Sequence, residues 1–174
     1  EVEETCSWKG VKHHWHDEIE ILYFGKGEFL LRINMETFRI QEECFYFINP
    51  GELHSIEPLT QGLESAVLFH PRILSFEHYD MAQTRLLQPL SKGGIRLPRY
   101  LAGASPAFAR VRQEYMEILH IFHETGSFLS EEGQTVTENL SSQLFIRAGL
   151  LNMLAVFSSY SLLTEPEKED DYRV

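Results

Sequence analysis

Apolar residues along this chain follow two periods. From Ile19 to His70 they come in short bursts of β-branched and aromatic side chains, each closed by glycine, proline, asparagine or serine. Ile19 to Phe24 ends at Gly25-Lys26-Gly27; Glu28 to Ile33 is followed by Asn34-Met35-Glu36 and then by Thr37 to Ile40. Cys44 to Asn49 is apolar on both faces, as a strand covered on both sides should be. His54 to Glu57 and Leu63 to His70 complete the set, with a Pro58 to Gly62 loop between them. Short strands at close, even spacing predict a sandwich or a barrel rather than βαβ units.

The period changes after Pro71. Residues 71–104 carry mixed short elements, and Ile95-Arg96-Leu97 reads as one late strand added to the sheet. Ser105 suits an N-cap and Pro106 the first helical position. Phe108, Val111, Tyr115, Ile118, Leu119 and Phe122 then recur at three- and four-residue steps, predicting a helix that ends near Gly126. Thr135 to Glu138 fits a capping box opening a second helix. Its apolar surface is broad: Leu140, Leu144, Ala148, Leu151 and Ala155 form one stripe, which Phe145, Leu150, Met153, Phe157 and Tyr160 widen. So wide a surface needs cover on more than one side, either from the sheet and a second copy of the chain or, as a core helix, from the barrel and the first helix between which it is wedged. Leu144, Leu151 and Phe157 are the expected dimerisation residues. Glu165 to Asp171 is a charged stretch that reads as a solvated linker.

Composition narrows the options. The 174 residues suit one domain with a helical appendage, and 43% hydrophobic content is ample for a core. A net charge of -11 argues against this segment gripping DNA or an anionic membrane by itself. No apolar run approaches the roughly 20 residues needed to cross a bilayer. The two cysteines, Cys6 and Cys44, match no zinc motif and are expected as free thiols in a reducing compartment. The expected location is cytoplasmic, and a chain opening on Glu1 rather than Met is expected to have been trimmed.

The candidate chemistry lies between His14 and His54. Side chains alternate along an extended strand, so His14, His16 and Glu20 are expected on one side, with the Pro50-Gly51 turn delivering His54 to them. Three imidazoles and a carboxylate form either a metal site for zinc, nickel or manganese or a polar ligand pocket. Trp8 and Trp15 offer indole faces to a sugar ring, although strand parity points Trp15 away, to pack under the helices. Arg32 is either a candidate clamp for a carboxylate or for sugar hydroxyls or an exposed residue of the outer face. Tyr46 alternates with Phe45 and Phe47, so either it or they face the cavity. His120 and His123, three apart on the first helix, read as surface residues. There is no Gly-x-Ser-x-Gly elbow and no phosphate-cradling glycine loop. No residue is assigned a catalytic role.

His14-x-His16-x3-Glu20-x6-Gly27 followed by Pro50-x3-His54 has the spacing of the two cupin motifs. Together with Phe69 to Leu74 (Phe-His-Pro-Arg-x-Leu), Gln88-Pro89-Leu90 and two closing helices, it resembles the sensor half of AraC-type bacterial transcription regulators. The resemblance spans nearly the whole chain. It implies a cupin-type double-stranded β-helix (jelly-roll) barrel followed by two C-terminal α-helices. Residues 1–98 would form the effector-binding barrel, 99–164 a helical dimerisation subdomain, and 165–174 the start of a linker to a helix-turn-helix domain that alone contacts DNA. The implied function is sensing of a small molecule, a sugar above all, by a homodimer that needs no cofactor, with no enzymatic activity. Trp8, Glu43-Cys44 and Pro58 replace the glycine, Gly-Asp and asparagine of enzyme-type cupins, which shifts the four motif residues from catalysis toward ligand recognition. The competing classes are a metal-dependent cupin enzyme, of sugar isomerase or dioxygenase type, and a dimerisation module with an inert barrel.

Overall fold

The computed structural model of the chain describes residues 9–125 and 139–166. Trp8, Cys6, the capping box at Thr135–Glu138 and most of the charged C-terminal stretch lie outside the described residues.

Eight strands form two four-stranded sheets. The first has the order β1 (Val11–His14), β6 (His54–Pro58), β3 (Phe29–Ile33), β4 (Glu36–Ile40). The second has the order β7 (Leu63–Phe69), β2 (Ile19–Lys26), β5 (Cys44–Ile48), β8 (Tyr100–Ala102). All pairings are antiparallel. The two sheets face each other as the walls of a cupin-type barrel, and β2 and β5, central in their sheet, are apolar on both faces. Their alternate residues serve two cores. Leu22, Phe24, Tyr46 and Ile48 turn inward and meet Phe29, Leu31, Ile33, Ile40 and Ile56 of the first sheet. Ile21, Tyr23, Phe45 and Phe47 turn outward to the helices.

After β7 the chain makes a 3-10 turn at Pro71–Leu74, then a π-helical turn at Gln83–Leu87 that runs into α1 (Gln88–Ser91). Ile95–Leu97 is not a strand of the sheet. Arg96 makes an isolated bridge with Thr164, and the sheet gains β8 at Tyr100–Ala102, beyond position 98. The long helices are α2 (Phe108–Glu124) and α3 (Leu140–Ser159). α2 begins later than Ser105-Pro106 predicts: Ser105 Oγ accepts from Ala107 N at 3.3 Å in a turn before the helix, and Ala107 is the N-cap. Asn139 caps α3, its side chain accepting from Ser142 N at 2.9 Å.

The buried face of α3 is Leu150, Met153, Leu154, Val156 and Phe157, not the Leu140-to-Ala155 stripe. Phe157 is 1% exposed and meets Phe47 edge-on at 5.2 Å. Burial of such a side chain is worth about 1.5–3 kcal/mol to the monomer, and it removes Phe157 from any surface a partner could use. Leu151 is half-buried, whereas Leu144 is exposed. Gly149 lets the helices approach: a Cβ there would stand 3.2 Å from Ile118 of α2. With 20 residues, α3 is also long and apolar enough to cross a membrane by length and composition, contrary to the expectation of no such run. It packs as a core helix instead, one face against the barrel and α2.

Candidate functional site

The four motif residues come from three strands and a crossover, not from one strand. His14 ends β1 in the first sheet, the chain bends through residues 15–18, and Glu20 lies in β2 of the second sheet. Strand parity therefore does not apply across this stretch. The crossing between sheets brings the residues together, with His14 directly opposite His54 in the β1–β6 register. The turn before β6 is held to the crossover by Gly51 N donating to His16 O at 2.8 Å.

The ligating atoms of His14, His16, Glu20 and His54 all lie within 4.8 Å of one another. Each imidazole is oriented by the backbone. Nδ1 of His14 meets Lys12 O at 2.9 Å, Nδ1 of His16 meets Glu18 O at 3.0 Å, and Nδ1 of His54 meets Glu52 O at 2.9 Å. A carbonyl oxygen only accepts, so Nδ1 donates in all three rings, and in a neutral ring Nε2 is left to present a lone pair. Those lone pairs surround Glu20, whose Oε2 is 3.1 Å from His16 Nε2 and 2.8 Å from His54 Nε2.

Two acceptors at such distances repel unless a proton or a cation stands between them. A proton answers part of the need. The Glu20 hydrogen bond holds the His16 ring above its ordinary value against the effect of burial. Burial alone would push the Glu20 carboxyl up; the His16 and His54 rings instead hold it down to about 2. His54 is left over. Its Nε2 stands 2.8 Å from Glu20 Oε2, and this buried nitrogen has no hydrogen-bond partner. Buried polar atoms are seldom left so.

The donor set fits a divalent cation. Three neutral imidazoles and one carboxylate suit zinc, nickel, manganese or iron. Backbone carbonyls on the distal ring nitrogens are the outer support that metal-bound histidines carry. In a tetrahedral site, ligands at about 2.0–2.2 Å from a metal stand about 3.3–3.6 Å apart, so the widest pair of this cluster, within 4.8 Å, would close by about 1 Å.

A second polar group, which the motif alone did not reveal, sits behind His54. Glu52 is buried and paired with Arg99, whose Nη1 donates to Glu52 Oε2 at 2.7 Å and to Phe47 O at 3.0 Å. The same carboxylate accepts from Asn49 N at 2.8 Å, and Asn49 Oδ1 accepts from Leu97 N at 3.2 Å. Burial would raise the Glu52 carboxyl, but Arg99 holds it below the usual range. Because Glu52 O orients His54, this network fixes the third imidazole. Its signal lay in the turn Asn49-Pro50-Gly51-Glu52, where buried polar residues surround a Pro-Gly pair.

Glu64 was also missed. Ser65 bonds Tyr115 at 3.0 Å on the helix side, and Val67 and Phe69 join the outer core. By alternation Glu64, Ala66 and Leu68 therefore face the barrel interior, where Leu68 lies beside Glu20 in the β2–β7 register. Leu68 is 49% exposed, so this face of β7 meets solvent at the level of Glu20. Burial, with the Glu20 charge nearby, pushes the Glu64 carboxyl up to about 8.

The remaining expected site residues divide. Tyr46 does face the interior, packed against Phe38 at 5.2 Å and Phe24 at 6.3 Å, away from the histidines. Arg32 does not. The inward positions of β3 are Phe29, Leu31 and Ile33, and Arg32 pairs with Glu57 at 3.2 Å on the outer face. Trp15 is exposed in the crossover rather than packed under the helices. His120 is a surface residue paired with Glu124 at 3.2 Å, and His123 is exposed. Cys44 is a free buried thiol, pushed up to about 12 chiefly by burial, and so inert.

Residues 2–146 match the family described as AraC-like ligand binding domain. The chain belongs to that family. A curated relative, an uncharacterized HTH-type transcriptional regulator, YdeC, of Bacillus subtilis (strain 168), is 46% identical over 44 residues, 25% of this chain and 15% of that protein. This AraC-like domain therefore aligns with only a small part of that relative's length. Solved structures with local similarity include KdgF from Halomonas sp., 20% identical over 35% of this chain and 59% of that one, TM-score 0.32. An oxalate decarboxylase from Bacillus subtilis is 29% identical over 35% of this chain and 18% of that one, TM-score 0.30. YcfD, a ribosomal oxygenase from Escherichia coli, is 13% identical over 87% of this chain and 38% of that one, TM-score 0.33. At these TM-scores the similarities carry no argument about activity.

Proposed function

We propose that this AraC-like domain is the effector-sensing module of a cytoplasmic bacterial transcription regulator, and that the effector is read at His14, His16, Glu20 and His54. One observation carries the reading: three Nδ1 atoms are committed to backbone carbonyls, leaving three Nε2 atoms and a carboxylate directed at one point. These residues would hold a divalent cation, which would supply a Lewis-acidic contact for hydroxyl or carboxylate oxygens of the effector. The effector is a small oxygen-rich molecule such as a sugar, approaching along the face of β7 that carries Glu64 and Leu68. No residue of this chain acts as a catalyst in this reading.

Homodimerisation is the second part of the proposal. Leu140, Leu144 and Phe145 expose apolar surface at the start of α3. A second copy would bury them there, with Leu144 central and Leu151 at the margin. Effector binding then biases the barrel, and the helices pass the bias to a DNA-binding domain outside this chain.

Thermal melting and calorimetry on zinc- or manganese-loaded protein with a panel of sugars and hydroxy acids test the sensing claim. The expected result is a saturable shift with one class, lost in His16→Ala; no shift and no heat across the panel would overturn it. The metal-dependent enzyme remains the competing reading, because the same donor set serves catalysis. Turnover of the bound effector, seen as product by NMR, would decide for it.

A further inference from the structure

A cleft reaches the crossover at Asp17 but is lined by none of the four motif residues. Its volume is about 460 Å³, within the size range of small-molecule sites. One wall is Asp17 and Ile19 at the start of β2, with Asn49 and Pro50 after β5; the other is His70 and Arg72 at the exit of β7, and Lys92 and Arg96 after α1. Its charge runs against the rest of the chain. Three permanent cations and an imidazole line it against one carboxylate, Asp17, in a protein of net charge -11.

These cations are also unlike the arginines that serve the fold. Arg32, Arg39, Arg99 and Arg112 are each paired with a glutamate. Among the described residues, Arg72, Lys92 and Arg96 have no carboxylate within 4.0 Å, although all are exposed and the Arg96 charge still reaches Glu52. Like charges gathered in a concavity repel, and an anion seated between them removes that cost. Guanidinium groups suit carboxylate and phosphate oxygens because their N–H groups match both in a planar fork.

We propose that this cleft binds a small polyanionic metabolite bearing carboxylate or phosphate groups, at a site separate from the histidine cluster. Arg72 and Arg96 grip the oxyanion, Lys92 adds charge, and Asp17 and Asn49 provide polar contacts for hydroxyls. The site reaches two places that matter. Asp17 adjoins His16 in the chain, and the Arg96 backbone pairs with Thr164 just after α3, at 2.8 and 3.0 Å. An occupied cleft therefore braces both the crossover carrying His16 and the segment leaving α3.

Calorimetry at a fixed ionic strength of about 0.15 M tests this, with citrate and glucose 6-phosphate as probes and glucose as the neutral control. The expected result is saturable binding of citrate, glucose 6-phosphate or both with Kd below about 1 mM, and none of glucose. Citrate alone would assign a carboxylate ligand, and glucose 6-phosphate alone a phosphate. The double variant Arg72→Gln/Arg96→Gln should weaken binding at least about tenfold, with Lys92→Gln as a milder second test, while Arg110→Gln, an exposed arginine elsewhere, leaves it unchanged. His54→Ala should bind the anions as the parent does, which separates this site from the proposed metal site. Absence of heat at about 5 mM of either anion, equal weakening by Arg110→Gln, or loss in His54→Ala would overturn the proposal.

Discussion

Two polar clusters sit back to back beneath the Pro50-Gly51 turn, and they are built on opposite rules. In the Asn49–Glu52–Arg99 cluster, donors meet acceptors: Glu52 faces a guanidinium and a backbone N–H, and Asn49 Oδ1 receives Leu97 N. In the His14–His16–Glu20–His54 cluster, only His16 Nε2 is hydrogen-bonded to Glu20, and the buried His54 Nε2, 2.8 Å from the same oxygen, has no hydrogen-bond partner. The first is a closed network that holds a turn in shape. The second is completed only by something added to it. The closed network orients His54 through Glu52 O, so the stable cluster supports the incomplete one.

Breaking the closed cluster should have the largest effect on stability. Arg99→Met leaves the buried Glu52 carboxylate without its guanidinium partner and is expected to cost about 2–4 kcal/mol in urea unfolding. It should also weaken metal binding about 10- to 100-fold, as the loss of outer support does at metal sites.

The open cluster should respond in the reverse way. Zinc or manganese at about 100 times its Kd should stabilise the parent by about 2.7 kcal/mol, and His54→Ala should abolish that gain. A loss of metal-free stability in His54→Ala as large as that in Arg99→Met would mean that both clusters are structural.

Glu64 sharpens the picture of the barrel interior. Its carboxyl is raised from 4.5 to about 8, so the folded state holds a proton that the unfolded chain releases. Its contribution to stability is therefore complete below about pH 4.5, declines as pH rises through about 8, and falls no further above that. Glu64→Gln should be more stable than the parent at pH 8.5 by about 1–3 kcal/mol and no more stable at pH 4. An unchanged difference between these pH values would show Glu64 to be solvated. The smallest effect is expected at Leu144→Ser, within about 0.5 kcal/mol of the parent in monomer stability. Its effect belongs in sedimentation, where it should shift the association proposed for α3 toward monomer.

Much of the fold was legible in the sequence because its signals are local. Strands β2 to β7 follow from alternating apolar bursts between turn residues, and α2 follows from its single apolar face. α3 was harder: with apolar residues nearly all round, its period does not say which face is inward, and the stripe through Leu144 proved to be the outer one. The meeting of His14, His16, Glu20 and His54 was anticipated from motif spacing, but the reason was not, because the crossover between sheets is a tertiary event that strand parity cannot express. Arg32 failed for a related reason. A cation among strand residues reads alike on either face until its partner, Glu57 on the neighbouring strand, is known. Glu52, Arg99 and Glu64 carry no motif, and their roles arise only from burial.

The central claim is that the four-residue cluster is completed by a cation. Calorimetric titration of metal-stripped protein with zinc at pH 7, repeated in buffers of different ionisation enthalpy, tests it most directly. The prediction is one equivalent bound, any proton displaced by coordination appearing as a buffer-dependent heat, and no binding in His54→Ala. A parent that takes up no zinc, or a His54→Ala variant that binds it equally well, would contradict the account.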